Sequence, residues 1–278
     1  MDWFKPIRPI EQRELIKQIR QYLEFIVLFG LVLTSGLATY QRNFVWKDDI
    51  TLWSDVVKKS PQKLRGYYGL ARAYEETGRY DLAIEYYKGI LQQKVMSRMN
   101  SEVFSDIHNS LGLLYCKIGR VDEGIEDFKN AIQINPSHVK AHNNLGLAYL
   151  TKGLVDEGIE ELKNAIKTNP YYMKAHYNLG NAYQIKGLLD EATSEYETAV
   201  RLKPDFVPAL NDLGVIYFKK GEVDMAIDAF RKAIRIMPDS SEAHYNLGIA
   251  YGEKGLHGLA EAEMRKGIEL RSIRSTVP

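Results

Sequence analysis

Residues 139–172 read VKAHNNLGLAYLTKGLVDEGIEELKNAIKTNPYY, and residues 173–206 read MKAHYNLGNAYQIKGLLDEATSEYETAVRLKPDF. Set one above the other, both blocks carry Lys-Ala-His at positions two to four and Leu-Gly at seven and eight. They also share Ala-Tyr at ten and eleven, Lys-Gly at fourteen and fifteen, Asp-Glu at eighteen and nineteen, and Pro at thirty-two. Leu at seven and Tyr at eleven lie four apart and so share one face of a first helix. Gly at fifteen suits the left-handed residue that ends a helix. The acidic pair that follows suits the start of a second helix, with Asp as its cap. Each block is therefore expected to be a helix–turn–helix unit.

The same period extends in both directions. Blocks starting at residues 64, 105, 139, 173, 207 and 241 all have Leu at seven (Leu70, Leu111, Leu145, Leu179, Leu213, Leu247) and Tyr at eleven (Tyr74, Tyr115, Tyr149, Tyr183, Tyr217, Tyr251). Position eight is Ala71 in the first block and Gly in the other five, which lets the second helix approach closely. Position fifteen is Gly throughout, and position twenty is Ala or Gly. Pro136, Pro170, Pro204 and Pro238 mark the boundaries, where a missing N–H ends one unit before the next begins.

This pattern resembles the tetratricopeptide repeat over residues 64–274. The resemblance implies an all-α, right-handed superhelix of about six repeats: 64–97, 105–138, 139–172, 173–206, 207–240 and 241–274. Its first helices are expected to line a concave groove that binds proteins or extended peptides. Seven extra residues at 92–104 precede the second repeat and are expected to lengthen the second helix of the first repeat. Upstream, DDITLWSDVVKKSP (Asp48–Pro61) fits the second helix of an incomplete repeat, with Trp53 in the bulky site, inside a joining segment at 41–63.

Residues 22–40, YLEFIVLFGLVLTSGLATY, read as one transmembrane helix. Nineteen helical residues span roughly 28 Å, near the hydrocarbon thickness, and ten Leu, Ile, Val or Phe side chains favour insertion by about 3–6 kcal/mol. Residues 1–21 carry Lys5, Arg8, Arg13, Lys17 and Arg20, against Arg42 and Lys47 on the other flank. The positive-inside rule then keeps the amphipathic N-terminal segment cytoplasmic and sends the repeats to the periplasmic or lumenal side. Small residues at Gly36-Leu37-Ala38 suit signal-peptide cleavage, but the polar leader is long for that. A cytoplasmic array requires the inverted orientation. The junction Thr39–Trp53 also looks like that of polytopic membrane glycosyltransferases carrying tetratricopeptide arrays. Their other membrane helices and acidic catalytic loop have no counterpart in this sequence, so transferase activity is not carried over.

Composition narrows the function classes. A net charge of +1, without a basic stripe, argues against nucleic acid, and one cysteine, Cys116, excludes an intramolecular disulfide framework. No HExxH, Walker loop or GxSxG motif occurs. His108, His142, His176 and His244 share position four of successive repeats, so they are expected to pack between helices and not to gather round a metal. The expectation is a non-enzymatic scaffold without cofactor.

The candidate groove residues are Asn109, Asn143, Tyr177, Asn211 and Tyr245 at position five, and Asn144, Asn178, Asp212 and Asn246 at position six. Lys140 and Lys174 lie beside them. Carboxamides spaced one per repeat suit an extended backbone, and the resemblance implies a similar asparagine ladder in O-linked N-acetylglucosamine transferases. The competing reading is a packing role. The final repeat (residues 275–278 forming a short tail) leaves Ile249, Leu256, Leu259 and Met264 on its outer side, a surface expected to meet a partner or a second copy.

Overall fold

The computed structural model describes residues 20, 27–28, 31, 46–92 and 101–276. The expected cytoplasmic segment and transmembrane helix fall almost entirely outside these residues. Val27, Leu28 and Leu31 are helical and exposed, and no helix among the described residues is long and apolar enough to cross a membrane.

The chain divides into two compact units, Met1–Gln93 and Lys94–Pro278. Among the described residues from Asp49 onward there are thirteen α-helices and no strand. In the first unit these are α1 (Asp49–Lys59), α2 (Leu64–Glu76) and α3 (Tyr80–Gln92). In the second they are α4 (Ser101–Lys117), α5 (Val121–Ile134), α6 (Val139–Thr151), α7 (Val155–Thr168), α8 (Met173–Lys186), α9 (Leu189–Leu202), α10 (Val207–Lys219), α11 (Val223–Ile236), α12 (Ser241–Glu253) and α13 (His257–Thr276).

In the first unit α1 lies within the stretch Asp48–Pro61 that was expected to form a helix. Asp48 and Thr51 form a reciprocal capping box that starts the helix, and α1 packs on α2. Trp53 lies flat on Gly69, where an added Cβ would come within 2.3 Å of the indole. Tyr67 and Tyr74 both pack on Tyr86, and Tyr68 meets Tyr87 edge-on at 5.8 Å. The lengthened helix was expected at residues 92–104. Residues 93–100 lie outside the described set, and the extra length that is described belongs to α4, which begins four residues ahead of the repeat start.

Within the second unit each repeat is an antiparallel pair that packs on the next. Gly at position eight is required by contact. A Cβ at Gly112, Gly180 or Gly214 would stand 2.5–2.7 Å from the ring of Phe128, Tyr196 or Phe230 on the paired second helix. These rings are fully buried, together with Leu145, Leu162 and Ile216. The six glycines at position fifteen all have φ between 73° and 81°. Each lets the next residue's N–H donate back to the position-eleven Tyr carbonyl at 2.8–2.9 Å, closing the first helix.

One expectation fails here. Asp122, Asp156, Asp190 and Asp224 do not cap the second helices. The cap positions are Arg120, Leu154, Leu188 and Glu222, without a side-chain cap bond. The aspartates sit inside the first turn, where they still oppose the positive end of the helix dipole. Their carboxylates point to the neighbouring repeat.

Candidate functional site

Within the second unit the first helices of successive repeats touch one another, α4 with α6, α6 with α8 and α10 with α12, whereas no pair of second helices does so to the same degree. The first helices therefore line the inner side of the curve, and positions five and six lie there.

The expected row of carboxamides is present but closed on itself. Asn144 Nδ2 donates to Asn109 Oδ1 (2.9 Å), Asn178 Nδ2 to Asn143 Oδ1 (2.8 Å) and Asn246 Nδ2 to Asn211 Oδ1 (3.1 Å). At the remaining junction Tyr177 Oη donates to Asp212 Oδ2 at 2.8 Å. Position five of repeats two to five thus meets position six of the next, and Asn109, Asn143, Asn178 and Asn211 are buried. Burial beside Glu242 pushes the Asp212 carboxyl up, partly offset by the Tyr177 hydrogen bond. Burial, together with the Asp212 charge, pushes the Tyr177 phenol up to about 12. What the groove leaves accessible is Lys140, Lys174, Leu147, Ile185 and Tyr245, all exposed, with Asn144, Tyr177, Asp212 and Asn246 half-buried.

The histidines form a second seam. His142 Nδ1 lies 2.6 Å from Glu161 Oε2, and its Nε2 lies 3.1 Å from the Pro136 carbonyl of the preceding repeat. His176 repeats this with Glu195 and Pro170, and His244 with Glu263 and Pro238. Both ring nitrogens face acceptors, and only the doubly protonated ring donates at both. The carboxylate bond to Glu161 or Glu195 raises the pKa of His142 and His176 against the opposing effect of burial, and the proline carbonyl adds to the rise. His108 has Asp127 in the same place at 2.7 Å.

Two further seams were not read from the sequence. Lys152, Lys186, Lys220 and Lys254 each reach back to Asp122, Asp156, Asp190 and Asp224 of the preceding repeat. Position twenty-five covers the next repeat's position-eleven ring or hydroxyl: Lys129 over Tyr149, Lys163 over Tyr183, Glu197 bonded to Tyr217, and Arg231 bonded to Tyr251. The signal was the constant spacing of thirty and twenty residues between these partners, visible once the facing positions are known.

A recurring antiparallel helix pair, closed by a glycine at position fifteen and joined to its neighbour at the same positions, defines the repeat. Tetratricopeptide-repeat profiles match residues 50–94, 112–153, 139–172, 173–206, 216–255 and 241–273. The chain belongs to the tetratricopeptide-repeat family. Among solved structures this tetratricopeptide array is similar to MamA, at 29% identity and a TM-score of 0.56 over 60% of this chain and 98% of that one. A MamA fragment from Desulfovibrio magneticus RS-1 matches at 20% identity and a TM-score of 0.57, over 65% of this chain and 99% of that one. The APC/C assembly Cut9–Hcn1 matches at 19% and 0.60, over 72% of this chain and 38% of that one. The last two share the fold alone. No curated protein sequence matches the chain significantly. As a tetratricopeptide-repeat protein the chain is a scaffold for protein–protein interaction.

Proposed function

We propose that the chain is a membrane-anchored scaffold that holds a protein partner by an extended segment in the groove of its second unit, as an accessory or assembly subunit of a membrane complex. The observation that carries this reading is the division of labour on the first helices. Their polar rungs are engaged between repeats, while Leu147 and Ile185, with Lys140 and Lys174, stay exposed on the same inner surface. Exposed apolar side chains flanked by lysines suit a peptide with alternating apolar and acidic residues. The half-buried Asn144, Tyr177, Asp212 and Asn246 and the exposed Tyr245 are the polar groups such a peptide would meet, whereas Asn109, Asn143, Asn178 and Asn211 hold the groove's shape.

The anchor rests on the apolar run at 22–40, supported by the exposure of Val27, Leu28 and Leu31. By the balance of basic residues its N-terminus is cytoplasmic and the array lies on the periplasmic or lumenal side.

Affinity purification from mildly solubilised membranes tests the groove. Proteins recovered with the wild-type chain are expected to be lost with Lys140→Glu/Lys174→Glu and with Ile185→Asp; an unchanged set would overturn the reading. Protease treatment of sealed vesicles tests the anchor and its direction. The array is expected to be protected in sealed vesicles whose cytoplasmic face is outward and cleaved once they are opened.

A further inference from the structure

The far end of the second unit carries a helix seat that the inner repeats fill and the last one does not. At the α10–α12 junction, Ala243 of the incoming first helix packs on Val207, Leu210 and Ala233, with Ile234 beside them. The position-three alanines Ala141, Ala175, Ala209 and Ala243 are all fully buried in this way. The last repeat presents the corresponding seat as Ser241, Glu242, Tyr245, Gly267, Ile268 and Arg271, around a depression of about 620 Å³. Ile268 is 61% exposed and Tyr245 46%.

Local connectivity does not deliver a helix to this seat. In repeats two to five the second helix stops at position thirty, and a proline two residues later turns the chain into the next first helix. In the last repeat Ser272 stands where that proline would be, and α13 continues through Thr276. Six further residues carry the backbone about 9 Å past the turning point.

Seam chemistry at this end selects the occupant. Gly258 replaces the aspartate that would receive a lysine from a following repeat, and Arg265 pairs with Glu261 on its own helix. Of the groove rungs, Tyr245 remains. Its equivalent two repeats earlier, Tyr177, donates to Asp212, whereas the Tyr245 hydroxyl takes no hydrogen bond among the described residues. Arg271 adds a second donor at the same seat. A following repeat would find no aspartate for its lysine and no proline carbonyl for a histidine, whereas a single helix needs only the seat and the Tyr245 rung, which are present.

We propose that this seat binds one helix of a partner protein, presenting a small residue and, three positions later, a carboxylate directed to Tyr245 and Arg271. The inference deepens the scaffold reading and is independent of the anchor; it shares Tyr245 with the groove but not Lys140, Lys174 or Ile185.

A peptide of residues 203–219, KPDFVPALNDLGVIYFK, is the probe, because in its own place this segment brings Ala209 and Asp212 to the preceding repeat. With the full chain in mild detergent, fluorescence anisotropy of the labelled peptide is expected to show saturable binding. Tyr245→Phe and Ile268→Asp should each weaken it about tenfold, with the circular-dichroism spectrum unchanged. The Asp212→Ala form of the peptide should bind as weakly and be insensitive to Tyr245→Phe. Lys140→Glu/Lys174→Glu in the chain should leave the peptide bound, which separates this site from the groove. Absence of binding, or binding indifferent to both seat variants, overturns the proposal. So does a chain dimer in sedimentation that Ile268→Asp dissociates, since the occupant would then be a second copy.

Discussion

The two units solve one packing problem with different materials. In the first, Trp53 covers Gly69, and Tyr67, Tyr68, Tyr74, Tyr86 and Tyr87 form the contacts between α2 and α3. In the second, rings or Leu and Met side chains fill the glycine notches, but each junction adds polar seams: a carboxamide pair or, once, the Tyr177–Asp212 bond, a lysine–aspartate pair and, at most repeats, a histidine clamp. The first repeat has Tyr67 where four of the five later ones have histidine (the fifth repeat has Leu210), and Thr77 where they have lysine or isoleucine. Apolar burial is roughly proportional to area and has no direction, whereas hydrogen bonds demand particular partners. The contrast suggests that rings supply most of the cohesion in both units and that polar seams fix the register with which repeats two to six stack.

Removing a ring should therefore have the largest effect in either unit. Phe230→Ala, at a fully buried ring over Gly214, should cost about 3–5 kcal/mol. Trp53→Ala, at a half-buried ring, should cost about 2–3 kcal/mol and act on the first unit alone. Urea unfolding followed by hydrogen exchange would separate them: loss of protection spreading through α6–α9 after Trp53→Ala would break the division into units.

Next comes a buried rung. Asn178→Ala leaves the buried Asn143 Oδ1 without its donor and should cost about 1–3 kcal/mol. Asn143→Leu combined with Asn178→Leu should recover part of that loss, because an unpaired polar atom costs more than an absent pair. A double as damaging as the sum of its singles would mean that the ladder does not act as a pair.

The histidine clamp predicts a pH dependence present in the second unit only. The folded pKa of His142 and His176 is raised above the ordinary 6.5, so the clamp stabilises fully below about pH 6.5 and is lost as pH rises through the raised values. Denaturant midpoints between pH 5.5 and 8.5 should fall with rising pH in the wild type. His142→Gln/His176→Gln should flatten that slope and lower low-pH stability by about 1–2 kcal/mol per site. Tyr67 has no ring nitrogen to protonate, so protection of α2 and α3 should not follow this slope.

What was legible in the sequence follows the same division. Leu at seven, Gly at eight, Tyr at eleven and Gly at fifteen act within one repeat, so their period exposes both the residue and its task. The histidines were read as packing residues from their shared position four, but their bonds to the proline carbonyls of the preceding repeat were not. Asn144 and Asp156 were harder, because their partners lie thirty or more residues away on the adjoining repeat. Periodicity reveals that a position is constant, not which position of the next repeat it faces. An aspartate in the first turn of a helix is equally compatible with capping and with a bond to a neighbour, and only the curve of the stack decides for the neighbour.

The lysine–aspartate seam is the most regular of the polar contacts and should matter least for stability. Lys186 and Asp156 meet at 2.5 Å, yet both side chains are largely exposed, Asp156 at 77%. Water screens the attraction, and ordering a lysine side chain opposes it. Lys186→Ala should change unfolding free energy by less than about 0.5 kcal/mol, and 1 M salt should erase the difference. Asp156→Lys sets two like charges together at the same junction and should destabilise more than Lys186→Ala, most at low salt. If both variants instead match Asn178→Ala in size, exposed seams would be carrying cohesion, and the separation between rings that hold and polar groups that align would fail for the second unit.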